Sequence, residues 1–368
     1  MIWSISESKA FRRCQRQWYF KHCVANANAT KNPLRRRAYV LSKLQSISGW
    51  RGTLVDTVIS TVLIPALNRK QTTTLQQLKA RARVLFDAQL QCAREHRLHE
   101  PDFSLKDTGE NFAAFHCMEY DREIPDAEIV RAWDEVDRAL SSLFNLDQVR
   151  TALKTAKYLV AQRALTVAHS GVTVRAVPDV IAFYDASPPA IIDWKVHVFG
   201  LHEAWLQLGT YALALAEGKP HKDFPVMGQW KPDDIRLMEV QLLNGVVREH
   251  RVEVDRLADI HDYIAHSVNE ILLVTEGRDN ADMRPEDFGV TRDPDHCRRC
   301  PFRSICWEDV SARTRNERFP GHEPERLECG VPPVSTPGSQ DGSDGILPES
   351  ASVGAQGQLW PSDSGHDH

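Results

Sequence analysis

The sequence predicts an α/β protein in which a central mixed sheet is flanked by helices, with a further helical region inserted ahead of the sheet. Three observations predict it. Helical spacing runs through 49–68 and much of 74–162, short β-type runs separated by turn residues follow Ala164, and helical spacing returns after Val254. The chain has 368 residues, of which 42% are hydrophobic and 26% charged. This composition is that of an ordinary globular protein with a sizeable core.

The first half of the chain is predicted to be mostly helical. One run of apolar residues recurs there at steps of three and four: Ile129, Trp133, Val136 and Leu140. The same trend continues through Leu153, Tyr158 and Leu159. Such spacing places the apolar side chains on one face of a helix.

The second half is predicted to begin with three or four strands of one sheet. The β-type runs are 165–169, 172–177, 180–184 and 190–196. A helix at about 202–216, two strands at about 236–243 and 246–254, and a helix at about 254–276 follow. Asn244-Gly245 between the last two strands is a strong hairpin turn.

Charge is distributed unevenly along the chain. Residues 1–51 hold eleven Lys and Arg against a single acid, whereas residues 320–368 hold one Arg against eight acids. Trp18, Tyr19 and Phe20 lie among the basic residues, an arrangement that suits phosphate neutralisation and base stacking. The alternative is a solvated helical face that balances an acidic body.

The last fifty residues have a different composition. From Gly321 onward Pro, Gly, Ser and Asp dominate, so we predict a disordered tail. Its apolar island at 358–360 is either a short docking motif or a stray pair of apolar residues. No apolar run reaches the length of a membrane span, and the N-terminus has no apolar signal core; we therefore expect a cytoplasmic protein without membrane contact.

Three of the eight cysteines have metal-ligand spacing. Cys297 and Cys300 are separated by two residues, and Cys306 follows after five more. Cys14, surrounded by cationic residues that favour its thiolate, is the best fourth ligand. The spacing fits zinc or an iron–sulfur cluster equally, and the alternative is a turn with free thiols. The other cysteines have no partner spacing.

Two charged residues interrupt an apolar strand. Asp193 and Lys195 are two residues apart and therefore share one face of that strand. A hairpin would bring Asp179 alongside Asp193, and carboxylates so placed could hold a hard divalent cation for phosphodiester hydrolysis. The alternatives are an ion pair at a sheet edge for Asp193 and Lys195 and a turn-forming role for Asp179.

These motifs, in this order, resemble the PD-(D/E)XK nuclease superfamily. The resemblance is to the RecB-like branch with an iron–sulfur cluster, which includes the AddB nuclease domain and CRISPR-associated exonucleases. In that branch a Ser-x-Ser helix leads to the first cluster cysteine, as Ser4-Ile-Ser6 leads to Cys14 here, and three cysteines ending in an aromatic residue follow near the C-terminus, as in 297–307. The resemblance favours a 4Fe-4S cluster on Cys14, Cys297, Cys300 and Cys306.

The nuclease motifs of the family have counterparts between these cysteines. The first, Arg-Gly-x-x-x-His, corresponds to Arg51-Gly-Thr-Leu-Val-Asp56, with Asp in place of His. The second corresponds to Asp179, the third to Asp193-Trp194-Lys195, and the fourth to Gln207-Leu-Gly-Thr-Tyr211. Two further departures are Gln162, where an acid is common, and Ala176-Val177, where small Gly is often found.

The resemblance implies a role for each of these residues. Asp56, Asp179, Asp193 and the carbonyl of Trp194 would hold Mg²⁺ or Mn²⁺. Lys195 would position or deprotonate the attacking water, and Gln207 and Tyr211 would orient Lys195 or contact DNA. Residues of the basic segment expected to line the DNA channel are Arg12, Arg13, Arg16, Arg51 and Trp18. His197 and His202 are either accessory contacts or surface residues.

The resemblance also implies a fold and a division of the chain. We expect a restriction-endonuclease-like core with a helical insertion and an iron–sulfur staple. The expected parts are a basic segment with the first cluster cysteine (1–48), the nuclease core (49–276, including the helical region 69–160), the cysteine segment (277–319) and the acidic tail (320–368).

The expected function is metal-dependent hydrolysis of DNA, by a single-strand exonuclease or end-processing enzyme of repair or defence. The chain has no P-loop, so a helicase or defence-complex protein that works with it would be a separate chain. Two alternatives remain. One is a DNA-binding subunit that has lost activity, favoured by Asp56 and Gln162, and the other is a zinc-stabilised protein that assembles partners.

Overall fold

The computed structural model describes residues 1–29, 31–100, 103–196, 204–225 and 230–307. Helices dominate the described part of residues 1–154, as the apolar spacing predicted. The helices before the sheet are α1 (Ile5–Arg13), α2 (Gln15–Tyr19), α3 (Pro33–Leu41), α4 (Ile47–Val58), α5 (Ile64–Asn68), α6 (Leu75–Glu95), α7 (Leu105–Thr108), α8 (His116–Tyr120), α9 (Asp126–Asn145) and α10 (Asp147–Lys154). The helices that follow strand β6 (Ala190–Lys195) are α11 (Ala204–Glu217), α12 (Val254–Thr275) and α13 (Pro294–Arg298).

The described strands form two sheets. The strands are β1 (Ile2–Trp3), β2 (Tyr158–Ala161), β3 (Leu165–His169), β4 (Val172–Ala176), β5 (Val180–Phe183), β6 (Ala190–Lys195), β7 (Arg236–Gln241) and β8 (Val246–His250). The larger sheet has the order β2-β5-β6-β7-β8, with β6 and β7 parallel and the other pairs antiparallel. The smaller sheet has the order β1-β4-β3. Gly245, in the predicted hairpin turn, has φ of 64°, which a residue with a side chain rarely adopts.

The prediction that the strands after Ala164 belong to one sheet was wrong. β3 and β4 pair with each other and with β1, whereas β5 and β6 belong to the larger sheet. Tyr158 and Leu159, predicted to continue a helix, lie in β2 and pair with Phe183 and Ala182 of β5. Helix α10 ends at Lys154, and pairing with β5 outweighs the local helical spacing.

Helices cover both faces of the larger sheet. Along β6, Ile191 belongs to a core shared with α11 and α12, while Ile192 belongs to a second core shared with α4, α6 and α9. A strand buried on both faces has a continuous apolar sequence. Asp193 and Lys195 share the face of Ile191, because side chains alternate along a strand.

The two ends of the described chain pack together. The indole N–H of Trp3 donates to Ser267 Oγ at 3.0 Å, and the Tyr19 hydroxyl donates to the Met283 carbonyl at 3.0 Å. Phe288 stacks on Tyr19 with ring centroids 4.7 Å apart. Among the described residues no helix combines the length and the apolar character required to cross a membrane.

Candidate active site

The register of β5 and β6 positions two aspartates opposite each other. Val180 pairs with Ile192, so Asp179, one residue before β5, faces Asp193. The backbone N–H of Trp194 donates to Asp179 Oδ2 at 2.8 Å. Asp193 is only 2% exposed, and burial of a carboxylate at this level requires compensating partners.

Lys195 and helix α11 supply the partners of Asp193. Lys195 Nζ lies 2.5 Å from Asp193 Oδ2 and donates to Gln207 Oε1 at 3.3 Å. The Gln207 amide donates to Asp193 Oδ1 at 3.2 Å and to the Tyr211 hydroxyl at 2.6 Å. Gln207 and Tyr211 are one helical turn apart, so both reach this face of the sheet. The arrangement fixes the ammonium of Lys195 beside the two aspartates.

Asp56 reaches the same site from helix α4. Gln162, directly after β2, donates from Nε2 to Asp56 Oδ2 at 2.8 Å and to Asp179 Oδ1 at 3.0 Å. A neutral amide therefore bridges the two carboxylates. The other oxygen of Asp56, Oδ1, is buried and has no hydrogen-bond partner among the described residues.

The carboxylates are electrostatically strained without a cation. Burial, opposed by the hydrogen bond from Gln162 and reinforced by the charge of Asp193, raises the pKa of Asp56 to about 6. Burial and the charges of Asp193 and Asp56 raise the pKa of Asp179 well above its ordinary value. Burial likewise raises the pKa of Tyr211, so its hydroxyl stays protonated. A divalent cation would relieve this repulsion.

The residues of the site fit Mg²⁺ or Mn²⁺. The donors are carboxylate oxygens, which hard divalent cations prefer, and the buried Oδ1 of Asp56 lacks the partner that a cation would supply. Asp56, Asp179 and Asp193 are therefore the residues that could hold such a metal, with Trp194 beside them.

Replacing Asp56 by asparagine is expected to stabilise the metal-free protein at neutral pH. The folded-state pKa of Asp56 is about 6 and the ordinary value is 3.8, so the folded protein holds this proton more tightly. That stabilisation is complete below about pH 4 and is lost as the pH rises through about 6. At pH 7 the Asp56→Asn protein should therefore exceed wild type by about 3 kcal/mol in the free energy of unfolding, measured with urea in EDTA.

The difference in the free energy of unfolding between Asp56→Asn and wild type should vanish as the pH falls toward about 4. Asp185→Asn, which removes a carboxylate from an exposed ion pair with Lys157, is the control and should stay close to wild type at every pH. A difference in the free energy of unfolding that does not change with pH would show that the raised pKa of Asp56 is not its cause.

A buried carboxylate that was not predicted from the sequence lies next to this site. Glu239 on β7 pairs in register with Asp193 and is 1% exposed. Burial raises its pKa, but hydrogen bonds from Gln241 and His250 outweigh burial, and the pKa lies below its ordinary value. An acid within an apolar strand is the signal that identified Asp193, and it was present here too.

The four predicted cluster cysteines line one cavity. Cys14 lies between α1 and α2, Cys297 lies in α13, and Cys300 and Cys306 follow it. Burial and the neighbouring thiols raise the pKa of Cys300 to about 12, although a backbone hydrogen bond opposes the shift. The described cysteines form no disulfide. Four sulfur donors that converge in an apolar cavity fit a soft metal centre.

The predicted DNA contacts of Trp18, Arg16 and Arg51 are not supported by their placement. Trp18 is 4% exposed and its ring packs against Phe11 and Phe288, so it cannot stack on a base. Arg16 is buried and hydrogen-bonds to Cys306. Arg51 forms an ion pair with Glu135 and donates to the Val196 carbonyl at 3.3 Å.

The other two predicted DNA contacts lie on the surface. Arg12 pairs with Glu270 at 2.8 Å and lies over the Tyr263 ring, and Arg13 is exposed. The amphipathic character of the segment explains the difference: Trp18 and Arg16 lie on its buried face, whereas Arg12 and Arg13 lie on its exposed face. The predictions for His197, for His202 and for the tail, including 358–360, lie outside the described residues.

Comparison with known proteins identifies the family of the chain. No curated protein matches the sequence. Among solved structures, a protein of Eubacterium rectale described as a "putative exonuclease" matches with a TM-score of 0.35 and 10% identity over 78% of this chain and 81% of that one. A protein designated SSO0001 matches with a TM-score of 0.25 and 13% identity over 51% and 79%. The model of the PD-(D/E)XK nuclease superfamily matches residues 2–307, and the chain therefore belongs to that superfamily.

Proposed function

We propose that this protein is a Mg²⁺- or Mn²⁺-dependent deoxyribonuclease that degrades or trims single-stranded DNA. The observation that carries the proposal is the group formed by Asp179, Asp193, Lys195 and Gln207 on two adjacent strands and one helix. Membership of a superfamily of nucleases supports hydrolysis of a phosphodiester.

The side chains of the site have distinct roles in this proposal. Lys195 positions the attacking water and offsets the negative charge that develops on the phosphate. Gln207 fixes the ammonium of Lys195 through its carbonyl and Asp193 through its amide, so the two groups keep their geometry. Tyr211 holds the Gln207 amide in turn.

Asp56, Asp179 and Asp193, with the carbonyl of Trp194, are the proposed ligands of one or two metal ions. When bound, such ions polarise the scissile phosphate and lower the pKa of water. Gln162 occupies the place where an acid is common in the family, and its amide links Asp56 to Asp179. It thereby holds the two carboxylates in place without adding a further negative charge.

A cavity beside the site has groups that suit a DNA strand. It has a volume of about 310 Å³, adjoins Gln207 and Tyr211, and is also lined by Ser4, Lys9 and Arg175. Hydroxyl and cationic groups of this kind contact phosphates. The cavity would accept the strand next to the cleaved bond, and Arg12 and Arg13 would extend the cationic surface along α1.

We further propose that Cys14, Cys297, Cys300 and Cys306 hold a 4Fe-4S cluster of the RecB-like type. In a tetrahedral zinc site with Zn–S bonds of about 2.3 Å, neighbouring sulfurs lie about 3.8 Å apart. Among the described residues, no three of these sulfurs all lie within 4.8 Å of one another. What favours a 4Fe-4S cluster over zinc in this proposal is the order of the cysteine motifs, which resembles that of the RecB-like branch.

The cluster would join the two ends of the protein around its core. The division that goes with this proposal is a basic segment (1–48), a nuclease core (49–276), a cysteine segment (277–319) and an acidic tail (320–368). A cytoplasmic role in repair or defence, with any helicase supplied by another chain, belongs to the same proposal.

The test is degradation of end-labelled single-stranded and duplex DNA by anaerobically purified protein in Mg²⁺, Mn²⁺ or EDTA. We expect the wild type to degrade the single strand only with metal, and Asp193→Asn to leave it intact. The control is Asp126→Asn, which alters a carboxylate that is 94% exposed at the start of α9 and should retain activity.

Two other results would redirect the proposal. Intact single-stranded DNA that remains bound to the wild type would favour the non-cleaving DNA-binding subunit. Degradation that persists equally in Asp193→Asn would remove this site as the source of activity.

A further inference from the structure

We propose that His96, His99 and Glu119 form a zinc site in the helical region, separate from the nuclease centre. The three side chains each present a ligand atom, and these atoms all lie within 4.8 Å of one another. His96 follows the last residue of α6, His99 ends the 3-10 turn Arg97–His99, and Glu119 lies in α8.

The burial of His96 is the independent observation that points to a ligand. Its side chain is 9% exposed, and both ring nitrogens are buried without a hydrogen-bond partner among the described residues. Nε2 lies 3.0 Å from Glu119 Oε2 but does not have hydrogen-bond geometry. Contact with one poorly aligned carboxylate oxygen leaves this buried imidazole unsatisfied at both nitrogens, and a metal ion would satisfy it.

The second histidine approaches the same carboxylate oxygen. His99 Nε2 lies 2.7 Å from Glu119 Oε2, and the rings of His96 and His99 are nearly perpendicular, with centroids 5.7 Å apart. Two imidazoles that converge on one buried carboxylate would bring three donors to a single ion.

The donor set selects the metal. Two imidazole nitrogens and one carboxylate are ligands that zinc commonly uses, whereas Mg²⁺ and Ca²⁺ prefer oxygen donors only. Donors about 2.0–2.2 Å from zinc in a tetrahedron lie about 3.3–3.6 Å apart. The separations of the two imidazoles from Glu119 Oε2, 3.0 and 2.7 Å, need to open by less than about 1 Å to reach that value. His99 can make this movement because its side chain is 44% exposed.

The ion would join the end of α6 to α8. Helix α8 is short, but the Tyr120 hydroxyl donates to the Pro301 carbonyl at 2.6 Å, and Arg303 lies over the Tyr120 ring at 4.0 Å. Zinc at His96, His99 and Glu119 would therefore stabilise a helix that contacts the cysteine segment. This site does not depend on the nuclease activity.

The test measures zinc binding by the full-length protein with all cysteines in place. Wild type, His99→Ala and Glu119→Gln are freed of loosely bound metal with EDTA, titrated with ZnCl₂, and assayed for bound zinc. His266→Ala, which removes an exposed histidine of α12, is the matched control. We expect wild type and His266→Ala to bind one equivalent more than His99→Ala and Glu119→Gln.

A second measurement guards against misfolding of a variant. Each variant is compared with itself in EDTA, because His99→Ala also loses the contact with Glu119. Added zinc should raise the thermal midpoint of wild type and of His266→Ala by more than that of His99→Ala. Cobalt bound at this site should give visible d–d bands without thiolate charge-transfer bands, which separates it from the cysteines. Equal zinc content in wild type, His99→Ala and Glu119→Gln would overturn the proposal.

Discussion

Replacing Lys195 by methionine should lower the rate of DNA hydrolysis by about 10²- to 10⁴-fold. The ammonium of Lys195 lies beside Asp193 and is fixed by Gln207, where it can position water and neutralise the phosphate. Methionine keeps the length and the apolar stem of the side chain but removes the charge. The measurement is the single-turnover rate on single-stranded DNA at saturating Mg²⁺.

DNA binding separates the chemical role of Lys195 from a structural one. The Lys195→Met protein should bind single-stranded DNA in Ca²⁺ nearly as well as wild type, because most of the binding energy comes from phosphate contacts elsewhere. Lys157→Met, which removes a lysine from an exposed ion pair, should keep full activity. An unchanged rate in Lys195→Met would remove the lysine from the mechanism.

Replacing Cys300 by serine is expected to remove the proposed cluster and to destabilise the fold by at least about 5 kcal/mol, because structural metal sites contribute roughly 10 kcal/mol or more. Cys300 is buried in the cavity that also holds Cys14, Cys297 and Cys306. Iron and sulfide content, visible absorbance and urea unfolding of anaerobic protein measure the effect.

Cys92→Ser is the control for this substitution. Cys92 lies on α6, is partly exposed and is not part of the cysteine cavity. The Cys92→Ser protein should retain the iron content, the visible absorbance and the stability of wild type. Iron content that is unchanged in Cys300→Ser, or equal loss in both variants, would contradict the assignment of the cavity as the cluster site.

The central residues of the candidate site were predicted to lie together, and they do, because polar residues stand out in buried strands. Asp193 and Lys195 interrupt an apolar run, and the short hairpin fixes which residue lies opposite Asp193. Gln207 and Tyr211 are four residues apart on a helix whose position after β6 is determined by the order of the chain. Local patterns were sufficient for these features.

Other features depend on contacts that no local pattern encodes. Alternation along β3 and β4 identifies strands but not their partners, so the division into two sheets was missed. β1 has only two residues, which are too few to show the alternation of apolar and polar residues that identifies a strand. Gln162 was noted only as a missing acid, because its contacts with Asp56 and Asp179 join residues 106 and 17 positions away.

The pairing of the two chain ends also constrains how the protein is synthesised. The hydrogen bond from Tyr19 to Met283 joins residues 264 positions apart, which a ribosome adding about 5–20 residues per second needs roughly 13 to 53 s to produce. Until then Tyr19 and Phe20 lack Phe288 and Phe302, on which they stack. The segment around Tyr19 thus leaves the ribosome well before its native partners have been made, and its many basic side chains favour its solubility during that delay.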